Sequence, residues 1–334
     1  APLDFRPAVD RVFLSRGNSE LAGRVLGDPD QPLPSTGLGV LITDLDGRVG
    51  NEIFIANDHM ANHFWEKAPS DSGSPIIWKN TAAARGGAFG ARGAPLGCMG
   101  IAAADFDENG LTDLHVTNYE KHWSSHYMQN SPGFFEDLVV AYGLAEVTNG
   151  MLGFGTQAMD YDNNSVVDLV IGNGHIDDLT ANSDSQFEMP TQLFVNKGSR
   201  FEPLAVSGDD AYWQSGHLSR AVATCDWNRD GRLDFVATDL RQPLVLLENR
   251  TETDYHWIQL RLVGTRSERE AIGAKVTAVF GERRLTKLVQ AGDGYMCRNE
   301  AIVAFGLGEN ESLTRLEILW PDGQRESWRG VPSN

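Results

Sequence analysis

Cysteine is scarce. Cys98, Cys225 and Cys297 are too few and too far apart for a disulfide framework or a zinc site, and at most one bridge can form among them. Cys225 directly precedes an aspartate in an apolar run, which suits a small core residue better than a nucleophile. Basic side chains are also few. The 28 lysines and arginines face 46 aspartates and glutamates, for a net charge of -18, and a chain so acidic and without a basic stripe repels phosphate backbones, so no nucleic-acid partner is expected. No apolar run reaches the length of a membrane span, and none is expected. The opening residues APLDFRPAV lack the charged-then-apolar profile of a secretion signal, as in a mature or excised chain. There is no phosphate loop, no Gly-x-Ser-x-Gly elbow and no dinucleotide fingerprint, so the common nucleotide and hydrolase chemistries have no support. Helical periodicity is missing before the last quarter of the chain, which removes a parallel α/β fold.

What the sequence does have is a recurrent acidic frame. DFDENGLTD sets Asp105, Asp107, Asn109 and Asp113 at positions 1, 3, 5 and 9, with a glycine at position 6 and the Leu111 carbonyl at position 7. This pattern turns oxygens inward around a hard cation that takes six to eight of them, and calcium is the natural guest. Asp, Asn and Gly also dominate turns that bind nothing. The frame returns, however, as Asp160, Asp162, Asn164, Val166 and Asp168 in DYDNNSVVD, and as Asp226, Asn228, Asp230, Arg232 and Asp234 in DWNRDGRLD. About three calcium sites are therefore expected. A fourth copy, DLDGRVGNE, begins with Asp44 and Asp46 but has Arg48 at position 5, Val49 in place of the glycine and Glu52 at the end. It reads as degenerate, with Arg48 supplying the positive charge and calcium weak or absent.

The flanks repeat as well. GLGVLITD, CMGIAAAD, GFGTQAMD and LSRAVATCD precede the loops, and IFIAND, LHVTNY, LVIGNG and FVATDL follow them. Short runs of Val, Ile, Leu and Phe bounded by Gly, Asn and Asp make each loop the turn of a β-hairpin, and further strands such as HYMQN, GFFEDLVV, TQLFVN and RFEPLAV complete four-stranded units. The first aspartates fall at 44, 105, 160 and 226, a period that signals a repeat array, and four strands per repeat fit propeller blades. The fold class is all-β. Residues 1–250 form the blades and residues 251–334 a small antiparallel sandwich or barrel, in which HWIQLRLV, GAKVTAVF, RLTKLVQA, AIVAFGL and RLEILW alternate apolar with polar residues and Trp257 and Trp320 belong to the core.

Together with Phe154 and Gly155 and the phrases DLHVTNY and DLVIGNGH, the hairpins resemble FG-GAP (VCBS-type) repeats, which build the calcium-binding propeller of integrin α chains. The stretches HWIQLRLVGTRSEREAIGAKVTAVFG, AGDGYMCRNEAIVAFGLG and RLEILWPDG resemble the ASPIC/UnbV domain of the cartilage acidic protein and enediyne-cluster family. That family usually reads close to GSGYLSQ, where this chain has Gly292, Asp293, Gly294, Tyr295, Met296, Cys297 and Arg298. The resemblance implies an integrin-α-like propeller, part of a seven-bladed ring, of which this chain holds four loop-bearing units. LDFRPAVDRVFLS looks like the closing strand of an earlier blade. The expectation is a second polypeptide that supplies the other blades, with a closed four-bladed ring or a blade-pooling dimer as the alternatives.

The segments beyond the second strand of each unit lie at the end opposite the loops, and they gather His59, His63, His122, His126 and His175. Asp58, Glu120, Asp177, Asp178, Asp239 and Arg241 accompany them, with Trp65 and Trp123 close by. Two functions follow. One is a calcium-stiffened propeller that binds a small molecule, a glycan or a protein on this face. The other is a cofactor-independent cyclase, isomerase or lyase using His59, His122, His175, Asp58 and Asp177 for acid-base work, on a carbohydrate or on a natural product as the enediyne-cluster resemblance implies. For each histidine alone, the bland account is a side chain satisfying a loop backbone. Loops of modest affinity suit millimolar calcium, so an extracellular or periplasmic setting is expected, with a cytoplasmic biosynthetic protein as the alternative.

Overall fold

The computed structural model describes residues 6–15, 21–48, 50–68, 77–181, 184–206 and 211–334. The N-terminal stretch forms β1 (Ala8–Val9), β2 (Arg11–Ser15), β3 (Leu21–Val25) and β4 (Pro34–Ser35), with β1 paired to β4 and β2 to β3. The segment expected to be one closing strand is thus two short strands, one of them half of a hairpin, and its first residues lie outside the described part.

The acidic loops join the first and second strands of successive sheets. The first unit holds β5 (Gly37–Thr43), β6 (Glu52–Met60), β7 (His63–Lys67) and β8 (Trp78–Asn80). The second holds β9 (Leu96–Ala104), β10 (Asp113–Asn118), β11 (Ser125–Ser131) and β12 (Phe134–Asp137), and is followed by the short helix α1 (Leu144–Thr148). Blade three is β13 (Gly153–Met159), β14 (Asp168–Asn173), β15 (Gln192–Asn196) and β16 (Phe201–Pro203). The fourth has β17 (Ser219–Cys225), β18 (Asp234–Asp239) and β19 (Val245–Leu247), three strands among the described residues instead of the expected four. The first two blades are not separate sheets, because β6 continues into β9 through Asp58–Gly97 and Met60–Leu96 pairs.

Each interface between blades is a layer of apolar side chains. Leu41, Phe54, Ile101, Leu114 and Tyr127 fill the first, and Phe106, Met128, Leu169, Ile171 and Phe194 the second. Met159, Val170, Val222 and Phe235 fill the third, joined there by Ile302 and Ala304 from near the C-terminus. Full burial of such a side chain contributes about 1.5–3 kcal/mol. The innermost strands approach backbone to backbone, and this is where the Phe-Gly pair earns its glycine: a Cβ on Gly155 would stand 2.5 Å from the Val222 nitrogen. Stacked antiparallel sheets whose middle strands are buried on both faces make the fold propeller-like.

The last part of the chain holds β20 (His256–Leu260), β21 (Lys275–Phe280), β22 (Arg283–Leu288), β23 (Val303–Gly308), β24 (Ser312–Leu319) and β25 (Arg325–Pro332). β20 pairs β23, and the order β22-β21-β24-β25 makes a second sheet around Val276, Phe280, Phe305, Leu307 and Leu313. Strand β25 escaped the sequence reading because RESWRGVP is exposed along nearly its whole length and has no apolar face. Trp320 packs against this core, whereas Trp257 lies over Gly231 of the fourth acidic loop. All three cysteines are free. Among the described residues no helix is long and apolar enough to cross a membrane.

Candidate functional site

The three full acidic loops share one set of internal hydrogen bonds. The position-1 carboxylate accepts the position-6 N–H at 2.9 Å in each, from Gly110 to Asp105, Ser165 to Asp160 and Gly231 to Asp226. The position-5 side chain accepts the position-7 N–H, from Leu111 to Asn109, Val166 to Asn164 and Arg232 to Asp230. The position-9 carboxylate accepts from position 2, closing the loop from Phe106 to Asp113, Tyr161 to Asp168 and Trp227 to Asp234. Positions 4 and 6 are left-handed: Glu108, Asn163 and Arg229 have φ near 62°, and Gly110, Ser165 and Gly231 lie between 78° and 87°. Ser165 takes without glycine a conformation that costs it energy, so the loop geometry is imposed by more than its own preference.

In two of these loops the acids converge. Carboxylate oxygens of Asp105, Asp107 and Asp113 lie within 4.8 Å of one another, and so do those of Asp160, Asp162 and Asp168. Burial, with like charges adding, pushes Asp105 up to about 6, Asp160 to about 7 and Asp113 and Asp168 to about 8. Asp105 Oδ1 and Asp160 Oδ1 are buried without any hydrogen-bond partner. Desolvated, mutually repelling carboxylates with orphaned oxygens fit a hard divalent cation, and these two groups could hold a metal ion.

The other two loops differ from these in their acids and partners. DWNRDGRLD has Asn228 in place of an acid at position 3; its Asp230 turns onto the Arg232 guanidinium, and Asp226 Oδ2 accepts from Gln259 Nε2 at 2.8 Å. In DLDGRVGNE, by contrast, Asp44, Asp46 and Glu52 do converge, since the longer glutamate reaches back to accept the Leu45 N–H at 2.8 Å and the Asp46 N–H at 3.2 Å. Burial pushes Glu52 up to about 7. Arg48 does not fill this loop: its side chain is 80% exposed and 3.7 Å from Asp46. The buried cation is Arg85, which bridges Asp46 at 3.2 Å and Glu66.

At the far end of the strands, the structure brings together His59, His122 and His175 around Tyr119, with ring centroids 5.9, 6.5 and 5.8 Å from it. Gly97 is the hub. Its N–H donates to His122 Nδ1 at 3.1 Å, and a Cβ there would stand 2.8 Å from Tyr119 Cβ and 3.1 Å from Asp58 Oδ1. Asp58 lies 3.8 Å from His59 Nε2, and burial raises its carboxyl above the usual range. His175 is buried, its Nδ1 at hydrogen-bond distance from the Asp177 backbone and its unpaired Nε2 3.6 Å from Glu120 Oε1, which accepts from Ser185. Asp177 thus takes part through its main chain, and its side chain is exposed. His63 and His126, expected in these loops, lie in strands: His63 bonds Asp10 at 2.6 Å, and His126 is sealed in the interior. Asp178, Asp239 and Arg241 do not join the histidine cluster; Asp239 holds the Leu218 and Arg241 N–H groups.

Sequence reasoning missed Tyr119, Arg220 and the reach of the GDGYMCRN segment. Gly294 bridges Ile101 of β9 with a 3.0 Å bond, Cys297 Sγ reaches Val222 of β17 at 3.1 Å, and Asn299 bonds both Thr224 N at 2.9 Å and Gln157 Oε1 at 2.7 Å. The segment therefore lies across the inner strands of three blades, and carries Tyr295 to Phe154, over whose ring the Arg220 guanidinium stacks at 4.0 Å. The last part of the chain contributes more than the strands expected of it. The kept glycines and tyrosine of the motif were the available signal.

Residues 264–334 match the family model described as ASPIC and UnbV. Cartilage acidic protein 1 of Homo sapiens is 26% identical over 241 residues, covering 70% of this chain and 34% of that protein. Its Xenopus tropicalis counterpart is 24% identical over 235 residues, covering 67% of this chain and 34% of that one. This chain thus spans about a third of the length of the curated relatives it matches. Among solved structures, an Agrocybe aegerita lectin that recognises non-reducing terminal N-acetylglucosamine overlaps with a TM-score of 0.37 at 14% identity, over 72% of this chain and 60% of that one. A structure described as the Dos1 propeller overlaps with a TM-score of 0.36 at 12% identity, over 92% and 72%. Overlaps this loose say nothing of what the present chain binds. Its propeller-like blades are thus followed, over residues 264–334, by a stretch that matches the ASPIC and UnbV model, and 70% of the chain is similar to cartilage acidic protein 1.

Proposed function

We propose that this is a calcium-binding, propeller-like protein that engages a ligand or partner through the face around Tyr119, at the end of the strands away from the acidic loops. The observation that carries the calcium reading is the convergence of three carboxylates in each of two loops, with Asp105 Oδ1 and Asp160 Oδ1 buried and unpaired. Motif and geometry agree at these two loops, so they are the first to fill. The ions stiffen the blades by neutralising carboxylates that otherwise repel. Modest affinities in such loops go with an extracellular or periplasmic setting.

On the opposite face, three histidines, Tyr119 and Asp58 offer a polar, aromatic surface of the kind that holds a sugar, a small molecule or a protein loop. A second reading, acid-base catalysis by a cyclase, isomerase or lyase, is favoured by one observation: the buried His175 with its free Nε2 beside the buried Glu120. Leu38, Val40 and Ile42 are exposed along β5, and a further blade from another chain or another part of a longer protein would cover them.

Native mass spectrometry of the isolated protein, with and without chelator, tests the reading. Two or more calcium ions lost to chelator support the loops as cradles, and a companion polypeptide supports the shared ring. A metal-free chain removes the calcium reading, and a lone compact monomer counts against the shared ring.

A further inference from the structure

The C-terminal sheets do not merely follow the blades; they sit on the acidic loops. Arg283 of β22 pairs with Glu108 in the second blade's loop and donates to the Asn164 carbonyl at 3.1 Å and the Ser165 carbonyl at 3.3 Å in the third. From the end of β23, Gly308 donates to the Asn163 carbonyl at 3.0 Å. Gly306, on the same strand, lies so close to Asp160 that a Cβ would overlap its carboxylate. In the fourth loop, Glu300 accepts the Asp226 N–H at 3.1 Å and pairs with Arg229 at 2.5 Å, Gln259 donates to Asp226, and the Trp257 ring covers Gly231. Between the loops and the sheets lies a cavity of about 200 Å³, lined by Asp105, Asp160, Lys287, Asp293 and Glu300. Among the described residues, the first loop's side-chain hydrogen bonds come from within itself and from Arg85.

Two features make this more than packing. The loop backbone that Arg283 and Gly308 grip, residues 163–165, is the stretch that must keep its left-handed turn for Asp160, Asp162 and Asp168 to converge. Asp160 itself, 5% exposed, has one oxygen buried and unpaired while its other oxygen lies under β23. We infer that the C-terminal sheets are a clamp over the loops of the second to fourth blades: a divalent cation held at Asp160, Asp162 and Asp168 leaves only as the clamp lifts, and the clamp loosens when the cation is lost. This rests on the reading of the loops as cation sites. The linkage is reciprocal, because whatever holds the loop closed favours the ion and the ion favours whatever holds the loop.

The test uses the full chain loaded with calcium. Release is followed after mixing with excess fluorescent chelator, for the wild type, Arg283→Ala and Arg283→Lys. Losing these charge-assisted bonds should speed the slow release phase about tenfold or more in Arg283→Ala, with Arg283→Lys in between. In parallel, hydrogen exchange of wild-type peptides covering 283–288 and 303–308 is compared in calcium and in chelator, with faster exchange expected in chelator. If Arg283→Ala fails to fold, the exchange comparison alone decides. Bound ions with a release rate indifferent to Arg283, or exchange unchanged after the ions are stripped, overturn the clamp and leave the loop reading standing. A protein that carries no ion in native mass spectrometry overturns both.

Discussion

His115 and His126 face each other across β10 and β11, ring centroids 5.6 Å apart, fully buried, with no ring nitrogen of either making a hydrogen bond. Burial pushes His126 down to about 3 and His115 well below its ordinary value, so both are neutral in the fold. The unfolded chain takes up these protons near pH 6.5, so their contribution to stability is present above that pH and is lost as pH falls towards 3. The loss approaches about 1.4 kcal/mol per pH unit for each histidine. His126→Leu should flatten the decline between pH 6.5 and 5 seen in urea unfolding. Equal slopes for the two proteins would refute the assignment.

Asp105→Ala combined with Asp160→Ala removes one converging carboxylate from each of the two groups where motif and geometry agree. An ion at a hundred times its dissociation constant stabilises by about 2.7 kcal/mol. Melting in calcium should therefore drop by several degrees, with little change in chelator. Equal melting temperatures in calcium would end the structural role of the ions.

Gly97→Ala tests the other face without touching the loops. The new methyl meets Tyr119 Cβ and Asp58 Oδ1. Overpacking of this sort costs about 1–3 kcal/mol. The expected outcome is a full complement of ions with weakened binding of whatever ligand the Tyr119 face takes. Ligand affinity unchanged in a folded variant would move the site elsewhere.

Arg85→Met leaves the buried Asp46 without its guanidinium and releases the partly exposed Glu66. Breaking a buried pair from one side costs about 3–5 kcal/mol, here towards the lower end because Glu66 can turn to solvent. Since Asp44, Asp46 and Glu52 already converge, millimolar calcium should restore part of the loss. Denaturant midpoints with and without calcium decide it; a variant that calcium does not rescue leaves the first loop as an arginine-filled turn.

The blades, their period and the placing of the loops between the first two strands of each unit were legible because they rest on local patterns: alternation, turn residues and a fixed spacing of acids. What sets the charge balance around each loop is not local. Arg85 stands 39 residues from Asp46, and Gln259 stands 33 from Asp226, so neither charge balance is visible within nine residues. Arg232 was in view, yet only the fold shows its head turned back onto Asp230. On the histidine face, His59, His122 and His175 meet around Tyr119, while His63 and His126 are drawn inside because each lies in an unbroken run of buried strand residues. Tyr119 closes the phrase DLHVTNY but nothing in it singles out the ring, Arg220 carried no motif, and Tyr295 acquires its place only when its turn crosses three blades.

That turn also sets a timetable. Ala103 and the Asp293 carboxylate that accepts its N–H are 190 residues apart. At a synthesis rate of about 5–20 residues per second, the inner strand of the second blade emerges roughly 10–40 s before its partner exists. By the end of that interval every acidic loop is outside the ribosome while the seam across the inner strands is still open, and contacts of such long separation are the slow ones to form. A premature stop late in the message would therefore yield a chain with all its acidic loops and none of the crossing turn that ties the blades together.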